Sequence, residues 1–167
     1  MAEFAERDTK AVSLAQRRIA SQAFTTLFHE GMDLVEQTAT YLDGDGRIDS
    51  RDFERPLLHA YAQQSMRLST RLMQLASWLL LQRAVNDGEM TVADARREGA
   101  KVDLEGPARD EEVEAMLPDG LRALIGRSHD LQRQIRQLIA TLDEPAEPPR
   151  NEVAGQMGRL RTAFERG

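Results

Sequence analysis

The 167-residue chain contains no cysteine. That absence excludes disulfides, thiolate zinc sites, iron–sulfur clusters and thiol catalysis together. It fits a reducing compartment. An excess of basic charge is also missing. The net charge of −6 speaks against direct binding of nucleic acid, because phosphate contacts need a basic face. No apolar run is long enough for a bilayer. Leu75 to Leu81 is the longest and includes Ser77, far short of the roughly 20 residues that a spanning helix needs. The N-terminal "MAEFAERDTK" is acidic and polar, without the apolar core of a secretory signal. Together these absences point to a soluble cytoplasmic protein with no membrane insertion.

Catalytic signatures are missing as well. There is no G-x-S-x-G, Walker loop or Rossmann fingerprint. His29, His59 and His129 fall in three different predicted helices, and no pair has the i, i+4 spacing of a helical metal site. Asp110 to Glu112 read as a solvated helix start, favoured by the helix dipole, rather than as catalytic carboxylates. The chain therefore reads as a non-enzyme, with no catalytic residues, no metal site and no cofactor.

What is present is helical periodicity. From about Leu14 to Leu42, positions Phe24, Phe28, Gly31, Val35, Thr38 and Leu42 step by three and four, with Leu27 and Leu34 widening the stripe. Ser13 is the expected cap. A second helix is expected over about Ser50–Val85, starting within a turn of Pro56. Its seam is Tyr61, Ser65, Leu68, Leu72, Leu75 and Leu79, and "NDG" at Asn86 to Gly88 stops it. Trp78, Leu79, Leu80 and Leu81 cover most of this helix's circumference. Two neighbouring helices cannot bury all four, so the following linker or a second subunit must help.

"TVADARRE" predicts a short helix in the second connection, with Thr91 and Asp94 as a capping box. An irregular acidic stretch follows, with a further short turn at Glu111–Met116. Pro118 opens the third long helix, whose seam is Leu121, Leu124, Ser128, Leu131, Ile135, Leu138 and Leu142. The fold class is all-α: a three-helix bundle of long helices, most simply up-down-up, with a short extra helix in its second connection. Residues 1–12 are expected to be a flexible N-terminus, 13–143 the bundle, and 144–167 a disordered C-terminal tail.

Three features carry functional readings. "YLDGDGRIDSRDFE" looks like a calcium-binding EF-hand loop. The one register that fits puts Asp43, Asp45, Asp49 and Asp52 at ligand positions but Tyr41 at the first. A neutral phenol is a poor anchor. The stretch is read instead as a turn, with Gly44 or Gly46 as the left-handed residue and Asp49, Ser50 or Asp52 capping the next helix. A weak cation site is the alternative. Around Glu111, Glu112 and Glu114 the chain is strongly acidic, which gives either a solvated surface or a docking patch for a basic partner. In the tail, Val153, Met157, Leu160 and Phe164 are spaced 4-3-4 and mark one face of a short helix, with Arg161 beside them. That pattern suits partner binding in a groove, docking on the chain's own bundle, or no function at all.

"SMRLSTRLMQLASWLLLQRAVNDGEMT" (residues 65–91) and "FHEGMDLVEQTATYLDGDGR" (28–47) closely resemble the alphaproteobacterial RcdA family, regulators of CtrA degradation. The resemblance is strongest over about Phe24–Thr91. It implies a homodimer-forming three-helix bundle with a disordered C-terminal extension that matters to activity. It further implies a non-enzymatic adaptor role in cell-cycle regulation: tethering cargo proteins such as CtrA to the ClpXP protease. The implied partners are ClpX or its complex primed by CpdR, PopA, and the cargo. The implied location is the cytoplasm, with recruitment to the cell pole. The rival reading is a structural helical oligomer or interaction module without a protease link.

Overall fold

The computed structural model describes the backbone of residues 2–143, and the side chains of residue 17 and residues 20–143. Six helices follow in order: α1 (Ala2–Asp43), α2 (Asp45–Asp49), α3 (Arg55–Asn86), α4 (Val92–Gly99), α5 (Glu111–Ala115) and α6 (Asp119–Asp143). A 3₁₀ turn, Ser50–Asp52, lies between α2 and α3. No strand occurs among the described residues. The long helices α1, α3 and α6 each pack on the other two.

The helix ends follow local chemistry. Pro56 sits in the first turn of α3, where its missing N–H costs nothing. At the other end, Gly88 adopts φ 75°. Its N–H donates to the Val85 carbonyl, and the Glu89 N–H donates to that of Ala84. This is a Schellman stop, which the "NDG" sequence predicts. Thr91 caps α4 by accepting from the Asp94 N–H, and Asp110 caps α5 by accepting from that of Val113. α1 starts at Ala2, well ahead of the expected Ser13 cap. Its first turns contain Ala, Glu, Arg and Lys and no Gly or Pro, so nothing there breaks a helix.

The core is the three expected seams, except that Val35 of α1 and Leu142 at the end of α6 are exposed. Phe24, Leu27, Leu34 and Thr38 of α1 are buried, as are Leu68, Leu72, Leu75 and Leu79 of α3 and Leu121, Leu131 and Ile135 of α6. Each fully buried leucine contributes about 1.5–3 kcal/mol. Val35 is exposed, because the α1 stripe turns through Leu34, one residue earlier. Trp78 meets Phe24 edge-on at 6.3 Å between centroids, Leu79 is fully buried, and α4 packs against α3. The linker thus supplies part of the cover that the Trp78–Leu81 girdle requires. Leu80 stays uncovered.

The up-down-up expectation is wrong. Gly120, at the start of α6, lies against the Tyr41 ring, at the end of α1. Further along, Arg127 donates to Gln37 and Leu131 approaches Gly31. α6 therefore runs antiparallel to α1. Since the short α2 turn reverses the chain between α1 and α3, α6 runs parallel to α3. Parallel neighbours need a crossover, and residues 87–118 provide it by returning along the length of the bundle.

Candidate protein-interaction surfaces

The crossover is held to the bundle by polar contacts. The Asp103 N–H donates to Gln74 Oε1 at 3.1 Å. Gln132 Nε2 donates to the carbonyls of Leu104 and Glu105 at 2.6 and 2.7 Å. Arg109 Nε donates to Glu114 Oε2 at 2.7 Å, and Glu114 is 3% exposed. Beside this pair, Arg71 Nη1 donates to Ser128 Oγ at 2.9 Å, and Ser128 donates to the Ile125 carbonyl.

Burial and positive neighbours shift two groups in this polar layer. Burial lowers the Arg71 pKa, with Glu114 opposing the shift. Burial also lowers the His129 pKa, with Arg71 and Arg109 adding to the effect. His129 Nε2 is buried without a hydrogen-bond partner, which suits a neutral ring.

Of the acidic candidates, Glu111 and Glu112 are exposed on the first turn of α5. Glu114 is not on the surface with them; it turns inward to Arg109. The tail candidates Val153, Met157, Leu160, Arg161 and Phe164 lie outside the described residues.

The Tyr41–Glu54 stretch folds into α2 and the 3₁₀ turn. Tyr41 Oη donates to Asp49 Oδ2 at 3.0 Å, and Arg47 pairs with Asp43 at 3.1 Å. Among the described residues, no group of three acidic or histidine side chains is arranged to hold a metal ion. The expected left-handed glycine is absent here: only Gly88 and Gly106 have positive φ among the described residues. Gly46 serves a different purpose. A Cβ there would clash with Tyr61 Oη and come within 2.9 Å of Tyr41 Cε1. Asp49, Ser50 and Asp52 do not cap α3; Glu54 takes the N-cap position, with no side-chain capping bond.

A surface that the sequence reading missed lies on α3. Met66, Met73 and Leu80 are 72%, 67% and 54% exposed. They recur every seven residues, the repeat of a coiled-coil seam. Three large apolar side chains in one exposed row resemble an interaction site more than scattered surface residues.

The family profile DUF1465, described as a protein of unknown function, matches residues 15–164. The chain belongs to that family. It is also similar to a solved structure, RcdA from Caulobacter crescentus CB15, at 49% identity and a TM-score of 0.55. The match covers 69% of this chain and 86% of the Caulobacter one. No curated protein matches. The chain is thus RcdA-like, as the helix-two and helix-one segments suggest. No helix among the described residues is long and apolar enough to cross a membrane.

Proposed function

We propose that this chain is a non-enzymatic adaptor that tethers cargo proteins to the ClpXP protease in bacterial cell-cycle regulation. The observation that carries the reading is the 49% identity with RcdA. The mechanism is tethering. Holding cargo beside a protease raises its local concentration to about the millimolar range for short flexible links, with no change in chemistry. The proposed partners are ClpX or its CpdR-primed complex, PopA and the cargo. The proposed place of action is the cytoplasm, with recruitment to the pole.

Three surfaces are assigned to this work. The Met66–Met73–Leu80 row is the proposed homodimer seam, because a seven-residue repeat is complementary to a copy of itself about a two-fold axis. Glu111 and Glu112 are the proposed docking point for a basic partner. Val153, Met157, Leu160, Arg161 and Phe164 are the proposed tail contact. Degradation reconstituted with and without the protein tests the reading.

The second reading is a helical oligomer with no protease link, for which the same exposed α3 row would serve as the seam. A pull-down from the native cell separates the two. Protease-associated proteins support the adaptor; filament or envelope proteins support the oligomer.

A further inference from the structure

A cavity of about 340 Å³ opens between the middle of α3 and the returning crossover. Small-molecule sites span about 300–1,000 Å³, so it is large enough for a modest ligand. Met66, Leu75, Leu104 and Pro107 give it apolar walls. Gly106, at φ 64°, makes the tight turn that carries Leu104 and Pro107 past α3.

Arg67 and Arg71 also line this cavity. They are four residues apart on α3 and so share one side of the helix. Among the described residues, neither has a carboxylate in ion-pair contact. Arg71 uses one donor on Ser128, out of the five that a guanidinium carries. Glu114, a buried carboxylate whose charge favours the Arg71 cation without an ion-pair contact, is itself held by Arg109. The cavity does have one acidic wall residue, Asp103. Its Oδ1 is committed to the turn, accepting from the N–H groups of Glu105 and Gly106 at 3.0 and 3.1 Å.

The balance on the wall is therefore positive, beside apolar surface. A part-buried guanidinium with no carboxylate in direct contact bears a desolvation cost that a bound carboxylate offsets. The planar fork of arginine matches a carboxylate with two parallel bonds. The rest of the cavity gains from an apolar body that displaces water.

We propose that this cavity binds a small carboxylic acid with an apolar body, its carboxylate on Arg71 and Arg67 and its body against Leu75, Leu104 and Pro107. The proposal does not rest on the adaptor reading, although Met66 belongs both to the cavity wall and to the proposed dimer seam.

Calorimetric titration of the full-length protein with decanoate, and in parallel with decanol, tests it. The expected result is saturable decanoate binding at a single site, with decanol weaker by about tenfold or more, the worth of a charge-assisted bond. Arg67→Gln is expected to weaken decanoate by about the same factor. Thr70→Trp, at an exposed position on the rim, fills the cavity and is expected to remove binding while leaving the helical circular-dichroism signal intact. Equal binding of decanol, decanoate binding that survives Thr70→Trp, or no saturation by about 1 mM each overturns the proposal. A leucine-terminated peptide that binds where decanoate does not also overturns it, in favour of a protein ligand.

Discussion

The ring of Tyr41 rests on Gly120. A Cβ at residue 120 would come within 2.6 Å of Tyr41 Cε2 and 3.2 Å of Cζ. Through this contact the start of α6 meets the end of α1, which sets α6 antiparallel to α1 and obliges residues 87–118 to cross over.

Gly120→Ala is therefore expected to destabilise the fold by about 1–3 kcal/mol, the usual cost of overpacking. A rigid ring cannot swing aside as a leucine tip can. Gly126→Ala on the same helix is the control. Nothing lies within 4 Å of its added Cβ, so the better helix propensity of alanine is expected to stabilise by up to about 1 kcal/mol. Urea unfolding of both variants gives the opposite signs directly.

Glu114 and Arg109 are expected to behave as a unit. Glu114→Gln leaves Arg109 without its ion-pair partner and removes the negative charge that favours the Arg71 cation. A loss of about 1–3 kcal/mol is expected, below that of a fully buried pair because the Arg109 side chain is 42% exposed. Adding Arg109→Gln is expected to restore part of the loss. A double-mutant cycle in urea measures the coupling.

Stability is expected to depend on pH through His129. Its folded pKa is lowered by burial, so the unfolded chain takes up a proton first. The stabilising contribution is present above the ordinary histidine value of about 6.5 and is lost as pH falls through the folded pKa. Melting temperature is expected to drop from pH 7 toward pH 5, and His129→Gln to flatten that slope. An equal slope in the variant assigns the pH dependence to other groups.

The α3 row is expected to govern self-association. Met73→Lys with Leu80→Lys places charges on exposed positions, where the fold tolerates them. Sedimentation equilibrium is expected to show a dimer for the unaltered chain and a monomer for the variant, with the same circular-dichroism melt. A monomer in both cases removes the row from the dimer seam.

Much of this architecture was legible locally. The Schellman stop at Gly88, the Thr91 cap and the Leu121–Leu138 seam each rest on residues within a few positions of one another. The direction of α6 does not. A connection as long as 87–118 can either reverse or return, and the deciding contact, Tyr41 on Gly120, joins residues remote in sequence. Glu114 was hidden for a similar reason: in an acidic run nothing local marks which carboxylate turns inward, and Arg71 and Arg109 decide it. The Met66–Met73–Leu80 row was visible as a seven-residue spacing. The leucine seam on the same helix overshadows it, and Leu80 belongs equally to the Trp78–Leu81 girdle. Gly46 carried a turn signal whose true cause is crowding by Tyr41 and Tyr61.

The adaptor reading meets its most direct test in reconstituted degradation. Turnover of CtrA by ClpXP, with CpdR and PopA present, is measured with and without the full-length protein. A variant carrying Leu160→Glu and Phe164→Glu is run beside it. The account predicts that the protein speeds CtrA turnover several-fold and that the tail variant loses most of that gain. Turnover that is the same with and without the protein contradicts it.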